Sequence, residues 1–372
     1  MHKNTNRALR TTSRLGIAGA CIAALAACTS SPLVPFGTQG PPLVLMPAAQ
    51  AGVVDQRARF REIFCAVLEA RKDTVPDYRP CDEALTRLDG EPAGPSRPVE
   101  LGPSKRRLSA MVVPGVGYEC FAPWLQPPGT TKRHVEQFGY ELHPISVDPL
   151  SGTTRNARRI RDALLAVPAE PSTPPRIVLV GYSKGTPDIL EALATYPEIR
   201  GRIAAVVSVA GAVGGSPLAN DATQDQANLI KHFPGATCDS GDNGAVEALR
   251  PQTRKAWLAQ NPLPAGLRYF SLVTLPQPER VSLILRPSWR KLGQVDARND
   301  SQVIFYDQVV PGSSLLGYLN ADHWSIAVPL SRTREVISDL LVTQNAYPRE
   351  AMTEAILRYV EEDLSSPTGG SR

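Results

Sequence analysis

Short apolar runs alternate with amphipathic segments from residue 107 onward. The runs are predicted to be buried strands, and they lie at 108–113, 140–147, 176–180, 203–209, 268–274 and 314–320. Helices are predicted at 154–166, 185–196 and 349–364. Continuous apolar strands separated by helices are typical of a parallel sheet that is covered on both faces. The pattern therefore predicts an α/β fold with a mostly parallel, doubly wound sheet.

The flanking segments have different patterns. Residues 53–71 carry apolar positions at helical spacing, and a second short helix is predicted over 82–88. Residues 89–104 are rich in Pro and Gly and have no period, as expected of a connector. We therefore interpret 53–105 as a helical N-terminal extension with a connector, followed by the α/β domain over 106–372. The alternation lapses at about 213–266, where we expect a cap inserted over the strand ends.

The N-terminus has the form of an export signal. Four basic residues and no acid precede an apolar run at 15–28, which is too short to span a bilayer. The sequence Leu25-Ala26-Ala27-Cys28 resembles the lipobox of bacterial lipoproteins. The resemblance implies a signal peptide over 1–27, a lipid on Cys28 and a Pro/Gly-rich tether over 28–52. The alternative is an ordinary cleaved signal in which Cys28 is incidental.

The resemblance to lipoproteins also implies a location. A lipid on Cys28 would anchor the protein to a membrane of the cell envelope. Thr29 stands where an aspartate would suggest retention at the inner membrane, which favours the outer membrane, facing the periplasm or the surface. The sequence does not specify the oligomeric state.

Composition argues against several classes of function. The chain has 372 residues, 42% hydrophobic and 20% charged, which is normal for a globular protein. Its formal net charge of +4 equals the contribution of the four basic residues in the signal. The local basic run at 105–107 is three residues long and is interpreted as a solvated strand entry, so a nucleic-acid partner is disfavoured. Because no His/Cys cluster has metal-ligand spacing, we expect no metal site and no cofactor.

Four cysteines remain after the signal is removed and Cys28 is lipidated. They are Cys65, Cys81, Cys120 and Cys238. An even number in an exported protein suggests disulfides, with three possible pairings. We favour Cys65–Cys81, across a short helix-to-loop segment, and Cys120–Cys238, which would join two loops near the site.

The motif Gly181-Tyr182-Ser183-Lys184-Gly185 lies between a predicted strand and a predicted helix. This is G-x-S-x-G in the strand–turn–helix context that the nucleophile turn requires. The glycines permit a tight turn from which the Ser183 hydroxyl projects, and the backbone N–H of Lys184 would help hold an oxyanion at the helix N-terminus. The motif resembles the nucleophile turn of the α/β-hydrolase superfamily.

A nucleophilic serine needs a base, since its hydroxyl is protonated at neutral pH. In α/β-hydrolases the base follows the nucleophile in the chain, which excludes His134 and His143. His323 comes directly after the strand predicted at 314–320 and so lies at its carboxyl end. His232 is in the predicted cap and is interpreted as a surface or lining residue. We therefore predict that His323 is the base.

Three candidates remain for the acid, of which Asp296 is the least favoured. The run from Arg298 to Val303 resembles the N-D-G-x-V turn of many esterases, with Ser301 in place of glycine and Asp300 as the acid, 23 residues before His323. Asp307 resembles a D-G-x-V-P version of that turn, 16 residues before His323. We favour Asp300 and keep Asp307 as the alternative. The carboxylate would fix the imidazole tautomer and stabilise the imidazolium.

The loop after the strand at 108–113 is a candidate for the second oxyanion donor. Its sequence Pro114-Gly115-Val116-Gly117 resembles the H-G-x-x turn of lipases, with Pro in place of His. We predict that the backbone N–H of Val116 is the donor. The alternative is that the glycines only shape a turn. Tyr118, Phe121 and Trp124 are candidates for an acyl pocket or for ordinary core.

Ser183, an acid and His323, in that order, resemble the lipase/esterase branch of the α/β-hydrolases over about 106–345. The resemblance implies a serine hydrolase that cleaves small-molecule or lipid esters through an acyl-enzyme. One alternative is a hydrolase or acyltransferase acting on envelope lipid or cell-wall acyl groups. Another is a non-catalytic lipoprotein that uses the fold as a binding module.

Overall fold

A computed structural model describes residues 52–120, 129–168, 174–222, 238, 241–327 and 346–366. These residues form an eight-stranded sheet. Its strands are β1 (Val54–Asp55), β2 (Leu85–Thr86), β3 (Ser109–Val113), β4 (Glu141–Pro144), β5 (Ile177–Tyr182), β6 (Ile203–Val209), β7 (Tyr269–Thr274) and β8 (Ser314–Leu319). The strand order is β1-β8-β7-β6-β5-β3-β4, all parallel, and β2 pairs antiparallel with β8. The predicted mostly parallel sheet is confirmed.

Helices cover both faces of this sheet. Within the described residues they are α1 (Arg57–Arg71), α2 (Cys81–Ala84), α3 (Thr130–Glu136), α4 (Thr153–Ala166), α5 (Gly185–Thr195), α6 (Leu218–Asp221), α7 (Ala245–Ala248), α8 (Pro251–Gln260), α9 (Arg286–Leu292) and α10 (Arg349–Ser365). Apolar residues of α1, α3 and α10 pack on one face of the sheet, and those of α4 and α5 pack on the other.

The continuous apolar runs of the sequence follow from this two-sided burial. In β5, Val178 belongs to the core beneath α1 and α10, whereas Ile177 and Leu179 belong to the core beneath α4 and α5. Successive side chains of a strand point to opposite faces, so a strand that is covered on both faces needs apolar residues at every position.

The region 53–105 is more closely integrated than the sequence pattern suggests. Its long predicted helix is present as α1, but the helix expected over 82–88 is only the one-turn α2, followed by β2. Both β1 and β2 pair with β8, with Val54 opposite Ser314 and Leu85 opposite Leu319. This segment therefore satisfies the backbone groups of β8, which would otherwise be an open edge.

The described part of the predicted cap contains α6, α7 and α8. It is held to the loop between β7 and β8 by backbone and side-chain bonds. The N–H of Gly214 donates to the carbonyl of Asp307 at 2.8 Å, and the hydroxyl of Ser216 donates to the carbonyl of Gln302. His232 and the residues around it lie outside the described residues, so the cap stays a prediction.

Both favoured cysteine pairs are disulfides in the structure. Cys65 in α1 is bonded to Cys81 at the start of α2, with Cα atoms 5.1 Å apart. Cys120 is bonded to Cys238, which is 118 residues away in sequence. The second bond joins the loop after β3 to a residue within the predicted cap.

The predicted signal peptide, Cys28 and nearly all of the tether lie outside the described residues. Within the part of the chain that the structure describes, no helix is both long and apolar enough to cross a membrane.

Candidate active site

Ser183 lies in the sharp turn between β5 and α5, with a φ of +53°. A non-glycine residue in this left-handed region is strained, and such strain is often found at functional sites. The flanking glycines make the turn possible. A Cβ on Gly181 would lie 2.6 Å from the Cα of Thr186, and one on Gly185 would lie 2.1 Å from the carbonyl oxygen of Val113. Any larger residue at either position would push α5 away from the sheet.

Three of the predicted site residues are joined by hydrogen bonds. The Nε2 atom of His323 is 2.8 Å from the Oγ of Ser183, and its Nδ1 atom is 2.7 Å from Oδ2 of Asp300. Because Nδ1 faces a carboxylate, we assign the ring proton to Nδ1. The lone pair of Nε2 then faces the serine hydroxyl, as a general base requires.

The carboxylate of Asp300 is fully buried and held by four further donors. Its Oδ1 accepts from the backbone N–H groups of Gln302 (2.9 Å) and Val303 (2.7 Å). Its Oδ2 accepts from Thr274 Oγ1 (2.5 Å) and Gln308 Nε2 (3.2 Å). Hydrogen bonds from several fixed donors set the direction of a buried carboxylate. Asp300 is thereby aimed at His323.

In the turn that carries Asp300, Ser301 adopts the left-handed backbone conformation that glycine favours. Ser301 has a φ of +81° and is fully buried, and its backbone N–H donates to the side-chain oxygen of Asn299 at 2.9 Å. The substitution of serine for glycine noted in the sequence therefore leaves the turn in place, at the cost of a strained residue.

Asp307, the alternative acid, lies elsewhere. It is on a 3₁₀ turn (Phe305–Gln308), buried, with its carboxyl group against the Cα of Gly214. In the part of the chain that the structure describes, it forms no hydrogen bond with His323. Burial raises the pKa of Asp307 to about 7, opposed in part by the positive charge of Lys255. The structure thus brings Asp300, rather than Asp307, to the histidine.

The proposed oxyanion donors lie beside the nucleophile. A Cβ on Gly115 would be 2.8 Å from the Cβ of Ser183, so the loop after β3 packs directly against it. The backbone N–H groups of Val116 and Lys184 form no hydrogen bond with any described residue. Two amide N–H groups that have no described partner and lie near a nucleophile are suited to donate to an oxyanion.

Solved structures of known proteins are similar to this chain. The crystal structure of the metagenomic carboxyl esterase MGS0156 matches the chain with a TM-score of 0.78 and 38% sequence identity, over 92% of this chain and 99% of that one. The chain belongs to the carboxyl esterase family of α/β-hydrolases. No protein-family model matches this esterase-family chain, and neither does any curated protein sequence.

Two lipases share the fold of this esterase-family protein at lower identity. The mature form of Bacillus licheniformis lipase BlEst2 has a TM-score of 0.50 and 23% identity, over 66% of this chain and 95% of that one. Staphylococcus hyicus lipase has a TM-score of 0.50 and 12% identity, over 73% of this chain and 100% of that one.

The histidine loop of this α/β-hydrolase is fixed by residues that the motifs did not reveal. The hydroxyl of Tyr182 donates to the carbonyl of His323 at 2.7 Å. Asp322 accepts from the backbone N–H groups of Ser282 (2.9 Å) and Ser325 (2.9 Å). In the sequence, Tyr182 is only a variable position of the serine motif, and no local pattern indicates its contact with the base.

The side chain of Lys184 is also part of the site's support. It is 2% exposed, and its Nζ lies 2.6 and 2.9 Å from the two carboxylate oxygens of Asp188 on the first turn of α5. Asn156 Nδ2 donates to the same carboxylate at 2.8 Å. Burial raises the pKa of Asp188, and the Lys184 charge opposes that shift. The esterase thus has a buried ion pair directly behind its nucleophile.

No cluster of metal-ligating side chains occurs among the described residues. Of the three residues proposed for an acyl pocket, Phe121 and Trp124 lie outside the described ranges. Tyr118 borders a cavity that is described below.

Proposed function

We propose that the protein hydrolyses carboxylic esters through an acyl-enzyme on Ser183. The observation that carries the proposal is the hydrogen-bonded series Ser183–His323–Asp300, with distances of 2.8 and 2.7 Å. The membership in the carboxyl esterase family supports an ester as the substrate.

The reaction follows from the positions of the three side chains. His323 Nε2 takes the hydroxyl proton as Ser183 Oγ attacks the ester carbonyl carbon, and the backbone amides of Lys184 and Val116 hold the resulting oxyanion. His323 then gives the proton to the leaving alkoxide, which departs as the alcohol. Water attacks the acyl-enzyme by the same route and releases the acid. Asp300 holds the imidazole tautomer and stabilises the imidazolium in both halves.

The test is hydrolysis of p-nitrophenyl acetate, with covalent labelling by a fluorophosphonate as a second readout. Ser183→Ala and His323→Ala are each expected to lower kcat by about 10⁶-fold and to abolish labelling, and Asp300→Asn to lower kcat by about 10⁴-fold. Matched controls are Asp307→Asn and His143→Ala, the latter at an exposed histidine. A folded wild type that neither hydrolyses the ester nor takes the label would favour the binding-module alternative.

We also propose that Cys28 is lipidated and anchors the enzyme in the cell envelope. The proposal rests on the lipobox-like sequence Leu25-Ala26-Ala27-Cys28 after a basic and apolar segment. Expression in a bacterium fed an alkynyl fatty acid should give a labelled protein in the membrane fraction. Cys28→Ser should remove the label, whereas Cys21→Ser should retain it. Label that survives in the Cys28 variant would refute the anchor.

A further inference from the structure

A cavity of about 620 Å³ lies between the sheet and the C-terminal helix α10. Its volume is in the range of small-molecule sites in proteins. The apolar part of its wall from the sheet is formed by Ala110, Val112, Leu142, Val180 and Val209, and the part from α10 by Met352, Ile356 and Leu357. Glu119, Lys132 and Arg349 also border it. The two opposing walls are therefore apolar, with charged groups elsewhere on the rim.

The cavity interrupts a face of the sheet that is otherwise closely packed. Val112 and Val180 are direct partners in the register of β3 and β5, two interior strands of the sheet. Both are only partly buried, whereas Val178, two residues earlier on the same face of β5, is fully buried. Protein interiors are normally filled to crystal-like density, so an apolar space of this size beneath central strands is suited to receive a ligand.

One end of the cavity is lined by residues next to the catalytic ones. Tyr182, which precedes Ser183, lines it, and the ring centroid of Tyr182 is 5.2 Å from that of His323. Pro114, at the start of the loop that packs on Ser183, and Ile326, three residues after the histidine, line it as well. The cavity therefore lies on the side of the sheet where Tyr182 and the loop at Pro114 adjoin Ser183.

We propose that this cavity binds the acyl chain of the ester, and that the substrates are esters of medium-length aliphatic acids. The inference rests on the proposed ester hydrolysis. The acyl group, rather than the alcohol, is assigned to the cavity because it stays attached to Ser183 through both halves of the reaction. The alcohol must leave before water attacks. The space between the sheet and α10 is therefore suited to hold the acyl group, which remains on Ser183.

The test is kcat/KM for p-nitrophenyl acetate, butyrate, hexanoate and octanoate, each below its micelle concentration. Burial of apolar surface favours longer chains by up to about fourfold for each methylene group. We expect the wild type to prefer hexanoate over acetate by at least about tenfold. Val180→Phe, from the sheet wall, and Thr353→Phe, which also lines the cavity from α10, should each remove this preference by lowering kcat/KM for hexanoate and octanoate toward the value for acetate. Leu165→Phe, at an exposed position on α4, is the control for an added phenyl ring.

Two results would overturn the acyl cavity without affecting the proposed catalysis. One is equal kcat/KM along the series in a wild type that is labelled by fluorophosphonate. The other is a chain-length preference that survives both filling variants while each is folded and labelled. A second series, of acetates of longer alcohols, tests the alcohol side of the ester. A chain-length preference that is found only in this second series would assign the cavity to the alcohol. Absence of any hydrolysis or labelling would instead refute the proposed function itself.

Discussion

The buried carboxyl group of Asp307 should make the stability of the folded chain depend on pH. Burial against Gly214 raises its pKa from 3.8 to about 7, so the group is mostly protonated in the native state at pH 5 and mostly ionised at pH 8. In the unfolded chain it ionises near pH 4. Because the native state binds the proton more tightly than the unfolded state does, protonation of Asp307 adds to the free energy of unfolding. This added stability is fully present below about pH 4 and is lost as pH rises to about 7.

The size of the effect follows from the difference between the two pKa values. One pKa unit corresponds to about 1.4 kcal/mol, so the whole shift corresponds to about 4 kcal/mol. Asp307→Asn keeps a similar shape and removes the ionisation. Relative to wild type, the variant should therefore gain about 3 kcal/mol in free energy of unfolding between pH 5 and pH 8.

Urea denaturation with both disulfides intact, at pH 5 and at pH 8, measures this difference. Asp89→Asn, at an exposed aspartate, is the matched control and should show no such change. The reasoning is refuted if the variant differs from wild type by the same free energy at both pH values. Since Asp307 does not contact the histidine, the variant should keep its ester hydrolysis at pH 7.

The remaining predictions concern the immediate surroundings of the nucleophile. Gly115→Ala should place a Cβ 2.8 Å from that of Ser183. The variant should lower kcat on p-nitrophenyl acetate by about 100-fold, with little change in the urea midpoint. An unchanged kcat would contradict the close packing of this loop on Ser183. Asp188→Asn should leave the buried Lys184 charge uncompensated and lower the free energy of unfolding by about 3 kcal/mol or more, whereas the double variant Lys184→Met, Asp188→Leu should stay close to wild type in urea denaturation. Equal losses in the single and double variants would show that the charge is not the cause.

The elements that the sequence predicted well are those whose burial is complete. The strand predicted at 203–209 coincides with β6, because a central parallel strand must be apolar at nearly every position. Ser183 and His323 could be found for a related reason, since each lies directly after such a strand. The family and the fold were accessible from these local patterns.

Other features depend on contacts between distant parts of the chain and leave no local pattern. The two-residue strands β1 and β2 are too short to have a period, and only their pairing with β8 defines them. The spacing to His323 left Asp300 and Asp307 both open, and the difference lies in side-chain geometry. Charges four residues apart, as in Lys184 and Asp188, usually indicate an exposed helix face. Here Asn156, from α4, joins a pair that is almost completely buried.

The pairing of β1 and β2 with β8 also has a consequence for the order of folding. Ribosomes make the chain from its N-terminus, so β1 is complete long before its partner β8 exists, about 260 residues later. β8, the strand that leads to His323, can pair with β1 and β2 only after nearly the whole domain has been synthesised. Contacts of such long sequence separation slow folding. The catalytic histidine loop should therefore be among the last parts of the enzyme to reach its final position.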